Sequence, residues 1–419
     1  MRILLSAFAC TPGAGSEGGA GWRYAELLAE THEVWVITDT SRRVLIERWE
    51  AARNNKRLRF IYYRPRIVAG LNLNSRTAQV IYQCWQMGAW RVARDLDRVV
   101  DFDFVWHLTY GVFRQPSWMW KIGKPFVFGP VGGAESAPFA LFKGLPVREL
   151  FKECLREAVN RGVWLFPAVR ELYRRADIIF VRTSETYEII PGFAKSKVVI
   201  AQEIGALTRP DAIAGKRNGR REVKILFAGR LLGLKGIHLG LRAFSAYLSA
   251  GGLGTFTIIG AGPMERSLKE LAIRLRIDDR VEFVGAKMQA ELFSLYPNFD
   301  VLLFPSLHDS GGNVVLEALS FGLPVICLDL GGPKCFVDET CGIVIATRGL
   351  GVDGVVEALA SSLLSLSQDD DRRFALSEGA LKRAGELSWD RQINRIFDVI
   401  ESRFNLAGKK GQGEVNLIG

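Results

Sequence analysis

Twelve short apolar runs punctuate the chain, and most are separated by enough residues for a helix. In the first half they are RILLSAFA, HEVWVITD, LRFIYY, FDFVWHL, PFVFGP and DIIFVRTS. In the second half they are VKILFAG, TFTIIGAG, VEFVGA, DVLLFPS, PVICLD and GIVIA. Each is rich in Val, Ile or Phe and mostly non-alternating, the pattern of strands covered on both faces of a parallel sheet. Strand–helix alternation repeated this often predicts doubly wound α/β layers. The polar, basic stretch TRPDAIAGKRNGRREV, Thr208 to Val223, breaks the series, and a fresh strand starts after it. Two α/β domains are therefore expected, 1–207 and 208–388, followed by a C-terminal helix near Trp389–Arg403 and a frayed tail within 389–419.

Composition narrows the class of protein. The chain is 48% hydrophobic and 24% charged, an ordinary balance for a soluble globular protein, with a formal net charge of +10. The charge is diffuse and no recognition motif accompanies it, which argues against nucleic acid. The six cysteines form no C-x-x-C pair and read as reduced thiols in a cytosolic setting. MRILLSAFAC is too short for a signal peptide, and no apolar stretch reaches the ~18 residues a spanning helix needs. The expectation is a protein neither secreted by that route nor integral to a membrane.

Ligands of open parallel sheets bind outside the carboxyl ends of the strands. Five polar or glycine-rich loops follow strands: TPGAGSEGGAGW, HLTYG, GPVGGAE, GRLLGLKG and SLHDSGGN. The first contains Gly13-x-Gly15-x-x-Gly18, with Asp39 at the end of the next strand. That spacing keeps a nicotinamide oxidoreductase open as an alternative, with Asp39 on a ribose. Asp101 and Asp103 precede their strand and so fall at the far edge, which disfavours a metal there. Asp369, Asp370 and Asp371 read as a solvated helix start. Between Pro138 and Arg175, Leu150, Phe151, Leu155 and Val159 recur at helical spacing. Glu149 with Lys152, or Glu153 with Arg156, are placed to pair on that helix's wet face.

The loop PSLHDSGGNVVLEALSFGLPVI carries the most chemistry. Gly311 and Gly312 let the backbone approach a ligand closely. The amides from Gly312 through Asn313 and Val314 to Val315 open a helix and suit a phosphate. Glu317 lies one turn further on, where a helical side chain leans back toward the N-terminus, and its apolar neighbours mean that its carboxylate needs partners. Asp309 stands in the loop before it. Arg230 and Lys235, in the turn after VKILFA, supply a fork and a point charge suited to a diphosphate.

Asp309-x7-Glu317 followed by ALSFGLPVI, with GRLLGLKG before it and IIGAGP between, resembles the retaining glycosyltransferases of family four. The resemblance is strongest from Lys224 to Leu330. In the first half GSEGGAGW, HLTYGVFRQPS and FGPVGGAE resemble bacterial members that build surface polysaccharides and lipid-linked glycans. The resemblance implies the GT-B fold, two doubly wound Rossmann-like domains facing across a cleft, with 1–207 on the acceptor side and 208–388 binding a nucleotide sugar.

It further implies that Arg230 and Lys235 hold the donor diphosphate and that Glu317 takes the ribose hydroxyls. The Asn313–Val315 amides would hold phosphate, while Asp309 and His107 would sit by the donor sugar. Gly15 and Gly18 would approach the donor from the first domain, and Glu17 and Glu135 would meet the acceptor. The family's usual residue at the position of Asp309 is Glu, so this chain keeps the charge with one methylene less reach. The donor expected is a UDP- or GDP-sugar and the acceptor a glycan or lipid-linked hydroxyl, with no cofactor and no metal. Trp85, Trp90, Trp118 and Trp120, with the 138–175 helices, are read either as a peripheral contact with anionic membrane at the inner leaflet or as core helices beside a solvated basic face. A degenerate protein that binds a sugar nucleotide without turnover is the remaining alternative.

Overall fold

The computed structural model describes residues 1–53, 55–74, 77–209 and 222–405. Most of the expected linker Thr208–Val223, and nearly all of the expected frayed tail, lie outside the described residues.

Two parallel sheets form. The first contains β1 (Arg2–Ser6), β2 (Glu33–Asp39), β3 (Leu58–Tyr63), β4 (Phe104–His107), β5 (Phe126–Val131), β6 (Ile178–Val181) and β7 (Val198–Ile200), in the order β3-β2-β1-β4-β5-β6-β7. The second contains β8 (Glu222–Ala228), β9 (Leu253–Ile259), β10 (Val281–Gly285), β11 (Val301–Phe304), β12 (Val325–Leu328) and β13 (Gly342–Ile345), in the order β10-β9-β8-β11-β12-β13. All twelve runs became strands. β7 has only three residues, none buried, so it carried too little apolar signal to be expected.

The non-alternating apolar pattern has the predicted cause. Ile3, Leu4 and Leu5 are sealed between β2 and β4, with Ile3 in register with both Val34 and Phe104. Ile225 and Leu226 of β8 are likewise sealed, between β9 and β11. In each sheet the strand order reverses beside the first strand, between β1 and β4 and between β8 and β11. Those switch points are where a doubly wound sheet presents a ligand crevice.

The chain divides into two compact units whose segments interleave. The first takes 1–133, 161–203 and the chain from 390, and the second takes 134–160 and 204–389. The expected division at 207 and 388 thus shifts to 203 at the first boundary and differs further in two segments. Residues 134–160 group with the second unit, anchored by the buried Leu141 and Phe142. The helix Trp389–Arg403 groups almost wholly with the first, where Phe397 stacks on His32 at 4.7 Å.

The helix Val147–Gly162 corrects the amphipathic reading of that segment. Its apolar stripe faces out: Val147 is 81% exposed, Phe151 68%, Leu155 56% and Val159 45%. Both expected pairs form, Lys152 with Glu149 and Arg156 with Glu153, but the carboxylates lie on the inward face and not on the wet one. Trp85 is fully buried, and its indole donates to the Tyr63 carbonyl at 3.0 Å, so it is a core residue. Trp90, Trp118 and Trp120 are half-buried and gather around the Lys121 ammonium. Among the described residues no helix is long and apolar enough to cross a membrane.

Candidate functional site

In the second unit the two loops at the switch point are laced together. The Leu307 amide donates to the Leu234 carbonyl at 2.8 Å, and the Ser306 hydroxyl donates to the same oxygen at 3.3 Å. The Gly236 backbone has φ of 65°, and a Cβ there would lie 1.8 Å from the Pro305 carbonyl oxygen, so glycine is required for the loops to meet. This lacing brings Lys235, from the turn Gly233–Lys235, onto Asp309 in a direct ion pair. Burial alone would raise the Asp309 carboxyl. The Lys235 ammonium and the Gly311 and Gly312 amides, each donating to Oδ1 at 3.2 Å, outweigh it and hold the group below its ordinary range.

This arrangement redistributes the amides expected to hold phosphate. Those of Gly311 and Gly312 are given to Asp309, and that of Val315 donates to the Gly312 carbonyl at 2.9 Å. Asn313 and Val314 remain as the first two residues of the helix Asn313–Ser320, where amides have no intrahelical acceptor. Gly312 itself caps the helix in the left-handed region, at φ 69°. The following loop closes over Asp309 from behind, the Gly332 amide donating to its carbonyl at 2.7 Å.

Glu317 has the partners its apolar surroundings demand. Gln289 donates to one carboxylate oxygen at 2.8 Å and the Tyr296 hydroxyl to the other at 3.1 Å. Burial nevertheless keeps its carboxyl above the ordinary value. Arg230 is exposed on the turn after β8. Lys235, Asp309 and Glu317 are half-buried, so all four expected charged residues border the carboxyl edge of this sheet with solvent access.

Sequence reasoning missed Gln289 and Tyr296, and it missed His308, which joins Glu153 at 3.2 Å. The Asp-x7-Glu spacing marked only the residues it contains. For His308, its place beside Asp309 was the sole signal.

The first unit's switch point is built differently. The glycine loop leads into the helix Ser16–Leu28, with Gly15 at its N-cap in extended geometry. The Thr11 amide donates to the Gly18 carbonyl at 2.9 Å, and the Ala9 amide donates to the Thr109 hydroxyl at 3.1 Å, tying this loop to the one after β4. Gly18 is not sterically demanded, since a Cβ there meets nothing closer than 3.5 Å. The demanding positions are Gly19, where a Cβ would lie 2.0 Å from the Ala14 carbonyl oxygen, and Gly21, where it would lie 2.4 Å from the Ala9 carbonyl oxygen.

Glu17 lies 3.7 Å from Arg182, which also pairs with the buried Glu203 and donates to the Pro130 carbonyl at 3.1 Å. Burial pushes Glu203 up, Arg182 opposes it and Glu17 adds to it. Arg182 and Glu203 were missed because each stands alone, far along the chain from Glu17.

His107 ends β4 and is 1% exposed. Its Nε2 lies 3.3 Å from the Tyr82 hydroxyl and its Nδ1 3.3 Å from the Gln86 amide nitrogen. Burial, opposed by a hydrogen bond to the Thr109 backbone, lowers its pKa to about 3, so the imidazole is neutral. That is the setting of a hydrogen-bonded core histidine rather than one open to a donor sugar. Glu135 is 2% exposed and groups with the second unit, not with the first-domain acceptor residues among which it was expected.

Asp39 is consumed internally. It accepts from the Ser41 amide at 3.0 Å and pairs with Arg64 through Nε at 2.9 Å. A ribose would have to displace that pair, which weighs against the nicotinamide alternative. At the opposite edge Asp101 pairs with Lys124 and Asp103 accepts the Arg2 amide at 2.8 Å. Asp369 caps the helix that begins at Asp370, as its position implied. Among the described residues no group of three or more His, Cys, Asp or Glu side chains is arranged to hold a metal ion.

Known proteins agree with this anatomy. Residues 222–369 match the family model described as "Glycosyl transferases group 1". A D-inositol 3-phosphate glycosyltransferase of Corynebacterium urealyticum is 32% identical over 254 residues, covering 56% of this chain and 58% of that protein. The enzyme of the same name from Salinispora tropica is 34% identical over 185 residues, covering 42% and 37%. The chain thus spans roughly half the length of these relatives. Among solved structures, sucrose-phosphate synthase from Thermosynechococcus elongatus superposes with a TM-score of 0.63 at 15% identity, over 97% of this chain and 100% of that one. The lipopolysaccharide outer core galactosyltransferase WaaB superposes at 0.64 with 13% identity, over 96% and 100%. HepE of Anabaena, solved in complex with UDP, superposes at 0.58 with 15% identity, over 96% and 99%. The chain therefore carries the GT-B fold, and over residues 222–369 it is similar to the group 1 glycosyl transferases.

Proposed function

We propose that the protein transfers a sugar from a nucleoside-diphosphate donor, a UDP- or GDP-sugar, to a hydroxyl of a glycan or lipid-linked acceptor, with the anomeric configuration retained. The observation that carries this reading is the Lys235–Asp309 pair at the second switch point, flanked by Arg230, Glu317 and the helix start at Asn313. The likeness to HepE, whose structure holds UDP, supports the nucleotide.

In this reading Arg230 and Lys235 meet the diphosphate, and the Asn313 and Val314 amides take phosphate oxygens. Glu317 accepts from the ribose hydroxyls, exchanging the Gln289 donor for the ligand. Asp309 aims the Lys235 ammonium and fixes the Gly311–Gly312 turn. The bond from the anomeric carbon to the diphosphate breaks through an oxocarbenium-like transition state. The acceptor oxygen bonds to the same face of that carbon, and its proton goes to a departing phosphate oxygen. Cations aimed at that oxygen stabilise the charge as it develops. Glu17, held by Arg182, serves the acceptor. His107 is left out of the catalytic set, because a neutral, sealed imidazole has neither the charge nor the access.

The test is mass spectrometry of purified protein incubated with UDP-, GDP- and ADP-sugars and a membrane extract. A glycosylated product with one donor is expected, and Arg230→Ala and Glu317→Ala are each expected to abolish it while unfolding at the wild-type temperature. Wild-type turnover by both variants would refute the site. Donor binding without transfer would leave a sugar-nucleotide-binding protein.

A further inference from the structure

The helix Val147–Gly162 is inside out. Its exposed residues include Val147, Phe151, Cys154, Leu155, Ala158 and Val159, while Asn160 is fully buried. Charge is sorted in the same sense. The helix carries three carboxylates, Glu149, Glu153 and Glu157, and none is exposed. Its exposed charged residues, Arg148, Lys152 and Arg161, are all cationic. An apolar stripe bordered only by cations is complementary to one environment in particular, the headgroup layer of an anionic bilayer. A soluble protein leaves few large side chains this exposed along one line, so the face calls for an occupant.

The inward face has a defined seat. A Cβ placed on Gly233 would come within 3.3 Å of the Glu149 side chain, and Glu153 bonds His308 at 3.2 Å. Gly233 lies in the turn that ends at Lys235, and His308 adjoins Asp309. The helix therefore rests directly on both loops of the donor site. Its outer surface stands about one helix diameter, ~10–12 Å, from them.

We propose that Val147–Gly162 is an in-plane membrane-docking helix, seating its Val147–Phe151–Leu155–Val159 face in anionic lipid and so holding the donor loops at the bilayer surface. This deepens the proposed transfer to a lipid-linked acceptor, but its test does not depend on turnover.

The experiment is co-sedimentation with phosphatidylglycerol–phosphatidylcholine vesicles, compared with pure phosphatidylcholine. The wild type is expected to bind the anionic vesicles, less so at high salt. Phe151→Asp with Leu155→Asp is expected to weaken that binding at least about tenfold. Thermal unfolding and the binding of UDP or GDP should stay unchanged, since both side chains are already exposed. Arg148→Glu is expected to weaken binding several-fold and to flatten its salt dependence. Absence of wild-type binding to anionic vesicles overturns the proposal, as does undiminished binding by the double variant. If the wild type is instead a dimer that the double variant dissociates, without vesicle binding, the occupant is a second copy and the proposal fails. Loss of the donor reading would show as binding of neither UDP nor GDP in the absence of vesicles, a separate result.

Discussion

The two switch points share a topology and differ in where they keep their charge. In the second unit Arg230, Lys235, Asp309 and Glu317 reach solvent, and the ion pair among them joins two loops. In the first unit four such groups are sealed: His107, Asp39, Arg182 and Glu203 all lie in the interior, bonded to neighbouring side chains or to backbone. Accessible charge can meet a ligand, whereas sealed charge can only hold shape. The same strand order thus yields a rim of accessible charge in one case and a braced scaffold in the other, with Glu17 a half-buried carboxylate beside it.

The contrast can be broken most sharply at Lys235. Lys235→Ala is expected to lower kcat about 10²–10³-fold, the scale of losing one group aimed at a developing oxyanion. A steady-state assay showing less than about a tenfold loss would deprive the second rim of its special status. At the first rim the matching change should act on stability instead. Arg182→Ala leaves Glu203 buried beside Glu17, a loss of up to about 3–5 kcal/mol by denaturant unfolding once Glu203 is ionised.

The pH dependence of that loss follows from the sign of the shift. Glu203 is raised from 4.5 to about 8 in the folded protein, so the fold binds its proton more tightly than the unfolded chain does. Its contribution to stability is complete below pH 4.5 and disappears as pH rises through about 8. Removing Arg182 raises Glu203 further still, so the Arg182→Ala deficit should widen above about pH 8, and a deficit that narrows there would reverse the assignment.

A smaller effect separates the glycines. Gly21→Ala is expected to cost about 1–3 kcal/mol by forcing the helix away from Ala9, with Gly18→Ala nearly silent in the same melting experiment. The smallest expected effect concerns His107. Neutral throughout, it should give no limb to the rate profile between about pH 5 and 8. A limb that vanishes in His107→Asn would make it a working acid–base group. In stability its sign is the reverse of Glu203's. The depressed pKa favours the fold above pH 6.5, and that benefit is lost as pH falls toward about 3.

The strands were legible because burial on both faces writes itself as an uninterrupted apolar run, as in Ile3–Leu5 and Val301–Phe304. The helix Asn313–Ser320 was legible from the glycines before it and the apolar positions within it. The inward placement of Glu153 was not, since an apolar stripe ordinarily marks the inward face, and its partner His308 is remote in sequence. Arg182 and Glu203 escaped for a related reason. A buried ion pair is a property of two distant positions, and neither has a local pattern to announce it. The sorting of Asp309 between amide acceptor and ion partner was equally hidden, because residue type fixes charge but not direction.

The interleaving of segments bears on how the chain matures as it leaves the ribosome. Ile393, Ile396 and Ile400 are buried, Phe397 lies against His32 and Phe104, and Arg403 reaches the Ser196 carbonyl at 3.2 Å. The half that is translated first thus waits for the helix Trp389–Arg403 before its apolar flank is covered. A nascent chain arrested short of Trp389 would hold a complete second sheet while its earliest-made portion stayed open to chaperones and proteases.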